Sequence, residues 1–239
     1  MPKFAPASIP DPSTSLPIGV ETETHAALRP ERVTHEGRYV RLVPLDPINH
    51  TGDLYAASHG EDKNVIWQYL FEAPFADYAA FKAHIERKAA SDDPLFYAII
   101  DKTSGKAVGY VTLMRIDTTH RVIEVGNIMY GTPLQKTPGA TEAQYLLMRY
   151  VFDALGYRRY EWKCNALNGP SRRAADRFGF TFEGIFRQHM IVRGRNRDTA
   201  WYSILDKEWP KQKQAFEAWL DPTNFDAQSR QIKRLNEFK

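Results

Sequence analysis

The stretch that most constrains the fold runs from residue 134 to residue 180, because it holds two helix starts separated by one strand. Thr137 followed by Pro138 is typical of a helix N-cap with proline at the first helical position. Thr141 begins a second candidate capping box, so the helix is predicted to begin at one of these two places. Its amphipathic pattern ends at Gly156.

A strand and a second helix follow. Residues 158–164 alternate and are rich in aromatic side chains, which predicts a strand. Asn168 is a favourable N-cap and Gly179 a favourable C-terminal residue, so residues 168–178 are predicted to form a helix of about three turns. Two helix starts at one edge of a sheet make a cleft. Their free N–H groups and positive dipole ends suit a phosphate-bearing ligand, although one such loop alone would be an ordinary helix start.

The loop before the first helix resembles the acetyl-CoA-binding loop of the GNAT superfamily of N-acetyltransferases, whose hallmark is Gln/Arg-x-x-Gly-x-Gly/Ala. That motif falls on residues 135–140, where Gln135 and Ala140 match and Pro138 stands in place of the usual glycine. Because proline has no N–H, one donor of the family's pyrophosphate cradle is expected to be missing or displaced. Gly139 is expected to restore the close approach of the ligand.

A second family motif lies at the start of the following helix. Asn168 is followed eleven and twelve residues later by Gly179 and Phe180, which reproduces the family spacing. Many members carry a tyrosine seven residues after the asparagine, and here that position is Ala175. Ser171 instead gives an arrangement similar to the ribosomal-protein alanine N-acetyltransferase (RimJ/RimL-like) branch.

The resemblance implies an α/β GNAT acyl-CoA N-acyltransferase fold. This fold has a mixed, mostly antiparallel central sheet with a splayed parallel strand pair, flanked by helices. Three segments are expected: a proline-rich N-terminal arm over 1–35, the acetyltransferase domain over 36–209, and a helical C-terminal extension over 210–239. The arm is predicted to be mobile or to wrap the surface, and the extension to pack on the core or on a second subunit.

The remaining elements follow from alternation and helical periodicity. Two helical segments lie between residues 49 and 90, and Asp77 is a candidate cap of the second. Strands are predicted over 37–45, 96–100, 107–113, 122–130, 182–192 and 199–205.

The resemblance also implies that acetyl-CoA is the co-substrate, and it places the cofactor on the strand before the loop, on the loop itself and on the second helix. The implied residues are Ile128, Met129, Gln135, Lys136, Thr137, Gly139, Ala140, Thr141, Asn168 and Ser171. No metal site is expected, because the seven histidines show no HxxH or HExxH spacing and the chain has one cysteine.

Two residues are the candidate catalytic groups. By analogy with the family, Ser171 hydrogen-bonds the leaving thiolate; without that analogy it is a first-turn helix hydroxyl. Glu124, on the strand before the loop, is the candidate general base if it faces the cleft with a pKa raised by partial burial. The alternative for Glu124 is a surface charge or a partner of an arginine. Asn127 could position a water or the substrate but cannot act as a base.

Aromatic side chains between the two early helices are candidates for the acceptor pocket. In the family this region borders the acceptor site, so Trp67, Tyr69 and Phe71 are predicted to contact the amine substrate. They are equally interpretable as core aromatics, which bury large areas in any domain. The later run Arg193, Arg195 and Arg197 is interpreted as a solvated hairpin tip rather than a contact for an acidic partner.

Composition and charge limit the classes of protein to which the chain can belong. The 239 residues are 43% hydrophobic and 26% charged, as in an ordinary globular domain. The single cysteine, Cys164, suits a reducing compartment, and neither a membrane-length apolar run nor a signal-peptide pattern is present, so a cytoplasmic location is expected. The net charge of +3 disfavours a nucleic-acid partner. No membrane partner is expected, and a homodimer is left open.

Together these features predict an acetyl-CoA-dependent N-acetyltransferase. The acceptor is expected to be a primary amine, such as a protein N-terminus, an amino acid or aminoacyl conjugate, or another small amine, that attacks directly in a ternary complex. The alternative is a CoA-binding regulatory or interaction module without turnover, which Pro138 and Ala175 motivate. A nucleic-acid-binding domain is the third and least favoured interpretation.

Overall fold

The computed structural model describes residues 6–228 and 230–239. Its strands are β1 (Ser8–Pro10), β2 (Pro17–Gly19), β3 (His35–Glu36), β4 (Val40–Pro44), β5 (Leu95–Asp101), β6 (Ala107–Asp117), β7 (Val122–Tyr130), β8 (Arg159–Asn165), β9 (Thr181–Val192) and β10 (Arg195–Leu205). Its helices are α1 (Pro47–Ser58), α2 (Lys63–Ile66), α3 (Tyr78–Ala89), α4 (Pro138–Arg149), α5 (Gly169–Phe178) and α6 (Trp209–Leu220). A π-helical turn at Tyr150–Ala154 extends α4, and 3₁₀ turns lie at Pro222–Asn224 and Leu235–Phe238.

Eight strands form one sheet in the order β3-β4-β5-β6-β7-β8-β10-β9, and β1 and β2 form a separate small hairpin. Adjacent strands of the large sheet are antiparallel except β7 and β8, which run parallel. Their pairing extends only from Val122 and Arg159 to Val125 and Trp162. Beyond that point the two strands separate and open a gap in the sheet. This confirms the predicted GNAT fold and its splayed pair.

The first predicted helix start is the one observed. The Thr137 hydroxyl accepts a hydrogen bond from the Ala140 N–H at 3.2 Å, and Pro138 is the first residue of α4. The chain reverses at Gly156, whose φ of +73° lies in the left-handed region. Helix α4 thus begins at Pro138, eight residues after the end of β7 at Tyr130.

The second helix also has the predicted caps. The Asn168 side chain accepts a hydrogen bond from the Ser171 N–H at 3.1 Å. Gly179 ends α5 with φ +93°, and a Cβ at that position would collide with the Gln212 side chain. Asp77 caps α3 as predicted, accepting from the Ala80 N–H at 2.8 Å.

Hydrophobic side chains cover both faces of the sheet. On one face α4 and α6 bury Leu146 and Phe216 in the larger cluster. On the other face α1 and α3 bury Leu54 and Phe81 in a smaller cluster. Because helices cover both faces of the sheet, the gap between β7 and β8 is a slot with protein on two sides.

Parts of the two terminal segments are held against this domain. The Tyr97 hydroxyl donates to the Glu31 carbonyl at 2.7 Å, and the Ala27 N–H donates to the Thr118 carbonyl at 2.9 Å. In the C-terminal segment, Phe216 and Trp219 are buried by the core of the same chain. No helix in residues 6–228 and 230–239 is long and apolar enough to cross a bilayer.

A buried carboxylate joins α4 to the start of β4. Glu142 is 4% exposed, and its oxygens accept backbone hydrogen bonds from Arg38, Tyr39 and Val40 at 2.7, 2.7 and 2.8 Å. A Cβ at Gly37 would lie 2.5 Å from the Glu142 carboxyl, so only glycine fits there. This contact fixes α4 against the start of β4.

Replacing this carboxylate is expected to destabilise the fold. Glu142→Ala leaves three backbone donors without their acceptor, and we expect the free energy of unfolding to fall by about 3 kcal/mol. Denaturant unfolding measures this, with Glu86→Ala as the control because Glu86 is exposed on α3 and its change is expected to stay within about 0.5 kcal/mol. Equal small effects of both substitutions would contradict the structural role of Glu142.

Candidate active site

A cleft opens where β7 and β8 separate and encloses about 730 Å³, including its open mouth. Its walls come from both strands, from the start of α5, from the segment before α3 and from the β9–β10 hairpin. The lining residues are Tyr69, Leu70, Phe71, Met114, Arg115, Glu124, Val125, Gly126, Asn127, Ile128, Trp162, Lys163, Cys164, Asn165, Asn168, Ser171, His189, Met190, Arg197 and Thr199. Residues far apart in the sequence thus meet at the opening of the sheet.

The loop before α4 presents backbone donors. Lys136 has φ +62°, and within the described residues neither its N–H nor that of Gly139 has an acceptor. Pro138 occupies the first helical position, where a missing N–H costs no intrahelical hydrogen bond. These free N–H groups and the helix dipole favour an anion at this end of α4.

Several loop side chains brace the loop itself. Gln135 Nε2 donates to the Tyr130 carbonyl at 2.8 Å, and the Thr141 hydroxyl accepts from Arg177 Nη1 at 2.9 Å. A Cβ at Gly139 would lie 2.7 Å from Val40 Cγ1, so the packing of α4 on β4 requires glycine there. The sequence had suggested only a role in ligand approach for Gly139.

Strand β7 bends at the gap. Asn127 has φ +46°, and the register of β7 against β6 shifts between Gly126 and Met129, which marks a β-bulge. Asn127 and Ile128 both line the cleft. The Met129 side chain is 1% exposed in the core, so only its backbone is available to a ligand.

Within the part of the chain that the structure describes, the Ser171 hydroxyl accepts one hydrogen bond and donates none. Its Oγ lies 3.0 Å from Trp162 Nε1, and an indole nitrogen only donates, so Oγ is the acceptor. The proton of Ser171 is therefore available to another acceptor in the cleft. Burial raises the pKa of the neighbouring Cys164 thiol.

Glu124 lines the cleft and is also the partner of an arginine. It is 4% exposed, and its Oε2 lies 2.9 Å from Lys163 Nζ and 3.4 Å from Arg115 Nε. Burial raises the pKa of Glu124, and the charges of Lys163 and Arg115 act in the opposite direction. The side chain is thus a buried carboxylate held by two cations.

The prediction for the acceptor pocket is corrected for Trp67. Tyr69 and Phe71 line the cleft, and the Tyr69 hydroxyl donates to the Leu167 carbonyl at 3.1 Å. Trp67 is fully buried instead, donating from Nε1 to the Ser58 carbonyl at 3.0 Å and packing on Phe81. It is a core aromatic because its ring lies between α1 and α3, away from the cleft.

The sequence interpretation missed Lys163 and misplaced Arg197. Lys163 Nζ lies 2.6 Å from Glu161 Oε2 and 3.8 Å from the Trp201 ring centroid. The period-two charge pattern along β8 was the available signal for Lys163. Arg197 was expected at a solvated tip, but it is 8% exposed and lies under Phe71, 4.8 Å from that ring.

The comparison with protein families agrees with this geometry. The model of the acetyltransferase (GNAT) domain matches residues 40–181, which span β4 to the start of β9 and include both sides of the gap. The chain belongs to the GNAT acetyltransferase family. As a family member it is an acetyl-CoA-dependent acyltransferase.

Individual GNAT relatives are similar over different lengths. A crystal structure of a GCN5-related N-acetyltransferase from Brucella melitensis is 57% identical, covers 90% of this chain and 97% of its own, and has a TM-score of 0.88. YdaF of Bacillus subtilis, provisionally named a ribosomal N-acetyltransferase, is 29% identical over 46% of this chain and 59% of its own length. The aligned region therefore spans somewhat more than half of that relative.

A more distant structure shows the fold alone. The microcin C7 self-immunity acetyltransferase MccE, solved in complex with acetyl-CoA and AMP, is 24% identical with a TM-score of 0.62. It covers 71% of this chain and 93% of its own.

The residues present fit an acyl-CoA thioester. The free N–H groups of Lys136 and Gly139 suit a pyrophosphate, the unpaired edges of β7 and β8 suit an extended amide-containing arm, and Ser171 offers a spare donor. No cluster of three or more possible metal ligands occurs among the residues the structure describes.

Proposed function

We propose that this GNAT protein transfers the acetyl group of acetyl-CoA to a primary amine by direct attack within a ternary complex. The acceptor class comprises protein N-termini, amino acids or aminoacyl conjugates, and other small amines. The observation that carries the proposal is the meeting of a buried carboxylate, Glu124, and a donor hydroxyl, Ser171, in the cleft where β7 and β8 part.

In this proposal acetyl-CoA supplies an activated acetyl group as a thioester. Residues 135–141 bind its pyrophosphate mainly through backbone N–H groups, because the side chains of Gln135 and Thr141 already have partners. The backbones of Ile128 and Met129 bind the pantetheine arm along the edge of β7. Asn168 shapes the second wall by capping α5.

Glu124 acts as the general base. An amine is nucleophilic only after it loses its proton, and a carboxylate in the cleft accepts that proton directly or through a water that Asn127 helps to position. Burial favours the protonated form of Glu124 and so makes it a stronger base than an exposed carboxylate. Lys163 and Arg115 keep it ionised before the reaction.

Ser171 stabilises the leaving sulfur. A thiolate forms as the acetyl group is transferred, and a hydroxyl proton directed at the sulfur lowers the cost of that charge. Trp162 orients Ser171 by occupying one lone pair of its oxygen. Tyr69 and Phe71 form the acceptor side of the cleft.

We further propose the segment boundaries and location inferred from the sequence. Residues 1–35 are assigned to an arm, 36–209 to the acetyltransferase domain and 210–239 to the C-terminal extension; residues 1–5 and 229 lie outside the described residues. A cytoplasmic location is supported by the single cysteine, and a homodimer stays a prediction.

Thiol release tests the proposed function. The purified chain is mixed with acetyl-CoA and, separately, with amino acids, aminoacyl amides, small amines and N-terminal peptides, and free CoA thiol is followed in time. We expect release that depends on one acceptor class. Saturable acetyl-CoA binding without release for any amine would instead identify a CoA-binding module without turnover.

A further inference from the structure

Arg197 is a buried cation without a partner in the cleft. It is 8% exposed and lines the cleft, and its Nε is completely buried without a hydrogen-bond partner. Within residues 6–228 and 230–239 the guanidinium makes no hydrogen bond or ion pair. A buried charge in this state carries a large desolvation cost, which a bound anion would offset.

The other cations that line the cleft are already paired. Arg115 lies 3.4 Å and Lys163 2.9 Å from Glu124. Lys163 also lies 2.6 Å from Glu161, which pairs with Arg159 at 2.7 Å, and Arg159 pairs with Glu183 at 2.6 Å. Three cations therefore face three carboxylates in the paired network, and the unpaired Arg197 adds one positive charge in surplus. The surplus belongs to Arg197 and matches a ligand with a single negative charge.

The guanidinium of Arg197 lies over the face of the Phe71 ring. The distance from the Arg197 Cζ to the Phe71 ring centroid is 4.8 Å. Stacking on an aromatic face leaves the in-plane N–H groups of an arginine free, and these form the fork that binds a carboxylate with two parallel hydrogen bonds. The hairpin that carries Arg197 is tied to the same segment, because Arg193 Nη2 donates to the Gln68 carbonyl at 2.6 Å.

We infer that Arg197 binds a carboxylate of the acetyl acceptor, so that the substrate class is a small primary amine that also carries a carboxylate. The inference rests on the proposed function, since it places the acceptor in the cleft beside Glu124. Arg197 is thereby a specificity-determining residue. It takes no part in proton transfer.

Binding measurements with matched ligands test this inference. In the presence of CoA, the full chain is titrated with L-α-amino acids and dipeptides, each paired with its C-terminal amide, and with phosphoethanolamine. Dissociation constants and the ¹⁵N resonance of Arg197 Nε are followed for wild type, Arg197→Met and Arg197→Lys. Arg195→Met is the control, because Arg195 is exposed two residues away on the same strand.

We expect at least one carboxylate ligand to bind more tightly than its amide and to shift the Arg197 Nε resonance. Arg197→Met should weaken that ligand about 10- to 100-fold and leave its amide unchanged. Arg197→Lys should recover part of the affinity, since it keeps the charge without the fork. Arg195→Met should bind as wild type does.

Other outcomes overturn the inference. These are equal binding of acid and amide, the same affinity in Arg197→Met, preference for phosphoethanolamine, or no resonance shift with any carboxylate. If the proposed function fails while this inference holds, carboxylates bind at Arg197 but no thiol is released from acetyl-CoA.

Discussion

Glu124→Gln is expected to lower kcat about 10³-fold, since a positioned general base contributes about 10²–10⁴-fold and the amide cannot accept the proton. The pH dependence gives a second readout. Because burial raises the pKa of Glu124, wild-type activity should fall on acidification at a pH above the usual carboxyl range, as the base becomes protonated. Glu124→Gln should lose this acidic limb. Steady-state rates across pH at saturating acetyl-CoA measure both effects.

Glu161→Gln is the matched control for Glu124→Gln. Glu161 is also buried and also contacts Lys163, at 2.6 Å, but it does not line the cleft. Its substitution removes one charge from the same network and should leave the acidic limb in place with a much smaller loss of rate. Equal losses for the two variants, or an unchanged acidic limb in Glu124→Gln, would contradict the assignment of Glu124 as the base.

Ser171→Ala is expected to lower kcat about 10²-fold while the affinity for acetyl-CoA stays within about threefold of wild type. The physical reason is that the hydroxyl proton interacts with sulfur mainly when negative charge develops there. Rates measured at saturating acceptor, with acetyl-CoA binding measured by calorimetry, separate the two quantities. A loss of affinity with unchanged kcat would assign Ser171 to ground-state binding instead.

Ser203→Ala controls for the loss of a buried hydroxyl. Ser203 is 2% exposed and donates to Glu183 at 2.7 Å, outside the cleft. It should lower thermal stability without a comparable change in kcat. The unfolding midpoint of Ser171→Ala should fall as well, because Trp162 Nε1 loses its acceptor.

Local signals in the sequence predicted much of the fold. Caps at Thr137, Asp77 and Asn168 are formed by the residue and its near neighbours, so the local sequence contains all the information they require. Strand β7 was predicted with its observed limits, since its alternation and its flanking turns are local features. The GNAT motifs then indicated a mostly antiparallel sheet with one splayed parallel pair, which local patterns alone do not specify.

The site was less predictable because its properties depend on contacts distant in sequence. The partners of Glu124 include Lys163 on the neighbouring strand, and the burial of Arg197 depends on Phe71, far from it in the chain. Trp67 and Phe71 have similar sequence surroundings, but Trp67 lies in the core and Phe71 lines the cleft. Periodicity does not distinguish them, because the segment between α2 and α3 is irregular.

Hydrogen–deuterium exchange with and without acetyl-CoA tests most directly whether the gap between β7 and β8 holds the cofactor. The amide of Lys136, an exposed residue, has no acceptor within the described residues, so it should exchange quickly in the free protein. We predict that saturating acetyl-CoA slows exchange in residues 135–141 and 126–130, and that acetate does not. Acetyl-CoA binding that leaves both segments unprotected would contradict the account.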